Sequence, residues 1–141
     1  MLTPAQKTLV QETFAAIAPI ADDAAVLFYR RLFELDPSLE KMFKGDMAVQ
    51  RRALMQMLAV AVKGLDRLDQ LVPAVKDLGR RHAGYGVADE HYATVGSALL
   101  WTLETGLGDA FTPDVKDAWA TVYGILATTM QEAAKEPALI A

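Results

Sequence analysis

Leu78-Gly79-Arg80-Arg81-His82-Ala83-Gly84-Tyr85-Gly86-Val87 brings an apolar helical face to a histidine and then to two glycines that stop it. The face reads Leu71, Val75, Leu78, His82, a recurrence at helical spacing that turns the imidazole where the leucines turn, toward the interior. His82 is one of two histidines in the chain. An imidazole so placed is either a satisfied core residue or a metal ligand, and the helices that face it bear on which.

The 141 residues fit one domain spanning 1–141. A chain of that size buries about 68–70% of its unfolded surface, enough to enclose a flat cofactor. Alanine, leucine, valine and methionine are abundant and β-branched runs are scarce, which predicts an all-α fold. The formal charge of −4, with the pairs Arg30-Arg31, Arg51-Arg52 and Arg80-Arg81 set among acids, argues against a nucleic-acid partner. Cysteine is absent, which excludes disulfides, thiolate metal sites, cysteine nucleophiles and thioether-linked cofactors. The longest run without charge, Ala118 to Gln131, is too short to span a bilayer, and Met1-Leu2-Thr3-Pro4 lacks the regions of a signal peptide. A soluble, cytoplasmic protein with no membrane partner is the expectation.

Along the chain, Thr3-Pro4-Ala5-Gln6 combines a cap, a proline at the first helical position and a capping-box glutamine. Leu9, Val10, Phe14 and Ile17 follow on one face until Pro19 interrupts; a second helix from near Asp22 turns Val26, Tyr29, Leu32 and Phe33 inward. Asp36-Pro37 opens a short turn through Met42 and Phe43. Asp46 caps a long helix to Lys63, with Gln50, Leu54, Leu58 and Ala61 on one stripe and Gly64 after it. A segment from Leu68 to His82 is followed by a turn-rich break at 84–89. A helix from Glu90 to about Leu107 then carries Tyr92, Val95, Leu99 and Leu103. Thr112-Pro113-Asp114 starts a last long helix with Trp119, Tyr123, Leu126 and Met130, and the tail from Glu136 frays. Seven to eight helices result. Tyr29 and Gln50 are polar groups on otherwise apolar stripes: Tyr29 either caps a carbonyl or faces a site, and Gln50 either sits at the solvent edge or does the same.

In their order and spacing the residues Phe28-Tyr29, Leu32-Phe33, Asp36-Pro37, Phe43, Gln50 with Leu54, Arg81-His82 with Gly86-Val87, His91-Tyr92 with Val95-Gly96, and Ala118-Trp119 with Tyr123-Gly124 resemble the globins. The likeness is greatest to the bacterial single-domain globins related to the haem domain of flavohaemoglobins, and it covers nearly the whole chain. It implies a globin-like fold around a pocket for haem b, held without a covalent link. His82 matches the proximal ligand of the iron, and Phe43 the ring that packs on the haem face. Tyr29, Gln50 and Leu54 match the distal positions, where dioxygen, CO or NO would sit. Cofactor contacts carry over to Phe43, Leu54, Leu78, Arg81, His82, Val87, Tyr92 and Val95.

A tyrosine hydroxyl over the iron would donate to a ligand bearing partial negative charge. Such a bond contributes about 1.5–3 kcal/mol. Gln50 would add a donor or hold Tyr29 in register, and Leu54 would keep the pocket dry. Arg81 would meet a haem propionate or solvent. With glutamine at position 50 and His91 on the helix after the proximal one, a five-coordinate or water-bound iron is expected. The family's enzymes oxidise nitric oxide using a joined flavin and nicotinamide reductase, and polarise the proximal histidine with a glutamate. Here no glycine-rich phosphate loop follows the last helix, so a separate reductase would be needed. Counted from Tyr123, the glutamate position falls on Ala134; Glu132 lies roughly 200° around the helix. Reversible dioxygen binding, for storage, transport or scavenging, is therefore expected ahead of nitric oxide dioxygenase activity or gas sensing.

Overall fold

The helices that begin at Pro4, Met47 and Pro113 start where a side chain satisfies an orphan amide, whereas the one that begins at Ala21 has no side-chain cap. The computed structural model describes residues 2–43, 45–84 and 87–135. Thr3 accepts from the Gln6 amide while Gln6 returns a bond to the Thr3 amide, and α1 runs Pro4–Ile17. Pro19 sits in a 3-10 turn, Ala18–Ile20, before α2 (Ala21–Leu35). The Asp36 carboxylate takes the Ser38 amide at the head of the 3-10 segment Pro37–Met42. Asp46 does the same for Ala48 at the start of α3 (Met47–Lys63). Caps of this kind contribute about 1 kcal/mol each, and that of Asp46 fixes the start of the helix that carries Gln50.

A 3-10 turn, Gly64–Arg67, leads directly into α4 (Leu68–Gly84). α5 (Asp89–Leu107) is opened by the ring of His91, whose Nδ1 accepts from the Ala88 amide at 2.9 Å. After a 3-10 turn at Gly108–Ala110 comes α6 (Pro113–Lys135), with the Thr112 hydroxyl accepting from Val115. The seven to eight expected helices are thus six α-helices and the 3-10 turns between them, with no strand among the described residues. The expected break at Tyr85-Gly86 and the tail from Glu136 lie outside the described residues.

Two apolar clusters form the core. The larger joins α1, α2, α3, α5 and α6 through Val10, Ile17, Phe28, Leu32, Val62, Leu99, Leu103, Trp119 and Val122. Trp119 is 2% exposed, and its ring N–H donates to Thr13 Oγ1 at 2.8 Å, so the polar edge of the largest core side chain is satisfied. The smaller cluster, Leu71, Val75, Tyr92, Ala127 and Met130, fastens α4 onto α6 and the start of α5. Tyr123 and Leu126 of α6 pack against both.

α2 lies along α5 and α4 along α6, whereas α3 and α4 scarcely touch each other. In the globin likeness of the sequence these two helices are the walls of the haem pocket. One expectation fails here: Val26 is 46% exposed. The buried arc of α2 is centred on Ala25, Phe28 and Leu32, and Val26 points about 60° beyond its Tyr29 edge.

Candidate functional site

On the first wall, α2 delivers Tyr29 into an aromatic nest. Its ring meets Phe28 edge-on at 5.0 Å and Phe43 at 5.4 Å, while Phe33 and Phe43 are 5.5 Å apart. Such pairs add about 0.5–1.5 kcal/mol beyond area burial and leave the phenol one orientation. One turn into α3, the Gln50 side-chain N–H donates to the Tyr29 hydroxyl at 3.2 Å. Because that hydroxyl accepts from Gln50, its own proton is still to be given, and no described residue takes it. Burial pushes the Tyr29 phenol above its ordinary range, an effect the Gln50 bond partly offsets, so the group stays a neutral donor at physiological pH. Tyr29 and Gln50 thus meet each other, neither capping a carbonyl nor standing at the solvent edge.

On the second wall, α4 presents His82, half-buried, with Nδ1 at 2.8 Å from the Leu78 carbonyl oxygen. A carbonyl only accepts, so Nδ1 carries the proton and the lone pair of the neutral ring resides on Nε2. That is the tautomer and the ring anchoring a metal-bound imidazole requires. The Val87 amide donates to the His82 carbonyl at 3.2 Å. Leu78, Val87 and Val95 are half-buried, as are Phe43 and Leu54, so each keeps some apolar surface accessible; Tyr92 is buried at 8%.

Two contacts fix α6 against its neighbours α5 and α4. The Tyr123 hydroxyl of α6 donates to the Tyr92 carbonyl at 2.6 Å, tying α6 to α5, and burial pushes the pKa of this phenol far above the ordinary tyrosine value. At Gly79, a Cβ would run into the backbone of Met130, so α4 and α6 touch main chain to main chain three residues before His82. The sequence reading missed both. An isolated glycine inside a helical pattern was the available signal for the second.

Elsewhere the expectations fare variously. Arg81 is largely exposed and lies 3.4 Å from the Asp77 carboxylate. His91 is occupied in capping α5. Glu132 is exposed on α6 and Ala134 half-buried, and the partner of His82 Nδ1 is a backbone carbonyl. Among the described residues no three of His, Asp and Glu gather as a metal site. A metal held through His82 would bring its other ligands with it, as a porphyrin iron does. The half-buried apolar side chains, the oriented imidazole and the buried phenol are of kinds that fit that group.

Residues 26–130 match the family model described as Globin. The chain is a globin. It is 33% identical over 122 residues to a flavohemoprotein of Bacillus subtilis (strain 168), covering 84% of this chain and 31% of that protein. It spans about a third of the length of the flavohemoproteins it matches. Neuroglobin of Danio rerio is 30% identical over 143 residues, covering 92% of this globin and 90% of its relative. Among solved structures, a bacterial globin from Campylobacter jejuni superposes with a TM-score of 0.83 at 24% identity, covering 94% and 96% of the two chains. An engineered carbene transferase derived from a candidate nitric oxide dioxygenase of Rhodothermus marinus superposes at 0.84 with 26% identity, over 95% and 94%. Among the described residues no helix of this globin is long and apolar enough to cross a membrane.

Proposed function

We propose that this globin holds haem b between α3 and α4 through His82 and binds dioxygen reversibly, for storage, transport or scavenging. The observation that carries this is the Gln50-to-Tyr29 hydrogen bond, which leaves a neutral buried phenol with a proton to donate. Haem iron would supply the site at which a diatomic ligand binds. His82, oriented by the Leu78 carbonyl, would hold it through Nε2; Phe43, Leu54, Leu78, Val87 and Val95 would exclude water; Tyr29, tethered by Gln50, would donate to the ligand. Arg81 reaches the propionate edge only by leaving Asp77.

A second reading, nitric oxide dioxygenase with a reductase as electron source, is favoured by the Rhodothermus likeness and by the flavohemoprotein relatives. The proximal side argues for binding ahead of catalysis. His82 leans on a carbonyl, which polarises an imidazole less than a carboxylate would, and Glu132 faces solvent.

The test is the dioxygen dissociation rate of the ferrous protein, wild type against Tyr29→Phe. Loss of a hydrogen bond to a charged acceptor, about 1.5–3 kcal/mol, raises the rate by about ten- to a hundredfold. A fast rate indifferent to Tyr29 would remove the distal half of the proposal. Multiple turnovers of nitric oxide with a supplied reductase, collapsing in the same variant, would promote the second reading; single-turnover consumption would not.

A further inference from the structure

Sulfur is concentrated in one part of this chain. Of its six methionines, four (Met42, Met47, Met55 and Met57) fall within residues 42–57, and there is no cysteine. Thioethers are therefore the only side-chain sulfurs that an oxidant meets. Met42, Met47 and Met55 pack against the larger apolar cluster. Among the described residues Met57 is the exception of the four: it is half-buried yet joins neither cluster.

The helix places it with the distal pair. Met57 follows Gln50 by seven residues, which puts the two within about 20° of each other and roughly 10 Å apart along α3. Gln50 turns toward Tyr29, and Met57 continues its row past Leu54. Met55 is turned about 160° away, into the core.

We propose that Met57 is a peroxide-sensitive gate on haem uptake. Hydrogen peroxide converts its thioether to the sulfoxide in the haem-free chain, the sulfoxide lowers haem affinity, and bound haem covers the sulfur. This rests on the haem reading above. In the chemical step the sulfur lone pair forms an S–O bond to one peroxide oxygen and the O–O bond breaks. The proton on the transferred oxygen goes to the other, which leaves as water; sulfur is oxidised by two electrons and peroxide is reduced by two. A flexible apolar side chain thereby becomes a polar one. One turn away on either side stand Ala53, Leu54, Val60 and Ala61, none with a side-chain donor. Against a porphyrin the sulfoxide oxygen would be desolvated without a partner, which is costly. Methionine sulfoxide reductase with a dithiol reverses the change.

The experiment exposes the full chain to hydrogen peroxide, haem-free and as the CO-bound ferrous protein, and maps oxidation by peptide mass spectrometry. Met55 and Met57 share the tryptic peptide 53–63, so fragment ions read one against the other. In the haem-free chain Met57 is expected to oxidise about fivefold faster than Met55 and than Met130, which is 9% exposed. Haem is expected to slow Met57 about tenfold while changing Met55 less than about twofold. Equal rates at the three methionines without haem would mean lost structure and not a sulfur set apart from the core, and would overturn the proposal. Absence of protection by haem would overturn it too.

Haemin titration followed at the Soret band reads the gate itself. The oxidised haem-free chain is expected to bind about tenfold more weakly, with recovery after the reductase. In Met57→Leu, a nearly volume-conserving change, treated and untreated chains are expected to differ less than about twofold. A tenfold fall that persists in Met57→Leu would assign the effect to another methionine and overturn the gate. Met57→Gln is expected to weaken haem binding without any oxidant; unchanged affinity there would count against the polar cause. An untreated chain that acquires no Soret band would sink the haem reading and this one together, whereas failure of the peroxide arms alone sinks only this one.

Discussion

Gly79→Ala places a methyl group into the main chain of Met130. Two effects oppose. Alanine is the better helix former by about 1 kcal/mol in a helix interior. Overpacking costs about 1–3 kcal/mol, and the upper end applies because the obstacle is backbone, which cannot rotate aside as a side-chain tip can. The net loss is about 2 kcal/mol, which in a domain of this size lowers Tm by about 4–8 °C. Gly124→Ala is the matched control: it too lies inside a helix, but nothing stands within 4 Å of its Cβ position, so only the propensity gain of about 1 kcal/mol remains. Circular-dichroism melts of the two variants should move in opposite directions. The haem-loaded Gly79→Ala protein should in addition show a changed Soret band, because α4 must back away from α6 and carry His82 with it. If both alanines stabilise alike and the Soret band is unmoved, the two helices are not in backbone contact and the spacing of the proximal wall has another cause.

Three further outcomes follow from the same contacts. Burial holds Tyr29, Tyr92 and Tyr123 above the ordinary tyrosine range. Their folded values are raised, so this stability is full below about pH 10 and is lost as pH climbs through the folded values. Urea midpoints should be level from pH 7 to about 9.5 and drop beyond 10, more gently in Tyr123→Phe, which should also start about 0.5–1.5 kcal/mol lower for its lost bond to Tyr92. Asp46→Ala removes the cap of α3 and should cost about 1 kcal/mol in denaturant titration, with a small rise in dioxygen dissociation as Gln50 loosens. Gln50→Leu leaves Tyr29 in its aromatic nest without its polar tether. It should raise the dissociation rate by less than Tyr29→Phe does, and the double variant should match Tyr29→Phe alone if Gln50 acts through the phenol.

The fold was legible where local chemistry and periodicity agreed. Thr3, Asp36, Asp46 and Thr112 all serve as caps where a short polar side chain preceded an apolar repeat, because such a side chain has one nearby amide to satisfy. The buried faces of α4 and α5 follow their 3.6-residue stripes through Leu71, Val75, Leu99 and Leu103. Val26 failed because a stripe fixes a direction only to within its own width, and the residue at the rim is settled by which neighbour helix arrives. His91 read as an unassigned imidazole because accepting a bond from the Ala88 amide depends on how the chain enters α5, which spacing does not specify.

The candidate site divides in the same way. Tyr29, Gln50 and His82 stood out as polar groups on apolar faces, and two of them do find each other across twenty-one positions of chain. Their partnership was not legible: two stripes establish that both residues turn inward, not that one hydroxyl accepts and keeps its own proton to give. That depends on the tilt of α3 against α2, set by the Asp46 cap and by Phe43 wedged between Phe33 and Tyr29. The opposite wall depends likewise on contacts without sequence pattern, the meeting of Gly79 with Met130 and the reach of Tyr123 to the Tyr92 carbonyl. The first of these sets how closely α4 approaches α6, and so where His82 stands. A substitution at Gly79 should therefore alter haem uptake without touching any side chain that faces it, whereas one at Leu58 or Ala61, on the inner stripe of α3, should act through packing alone.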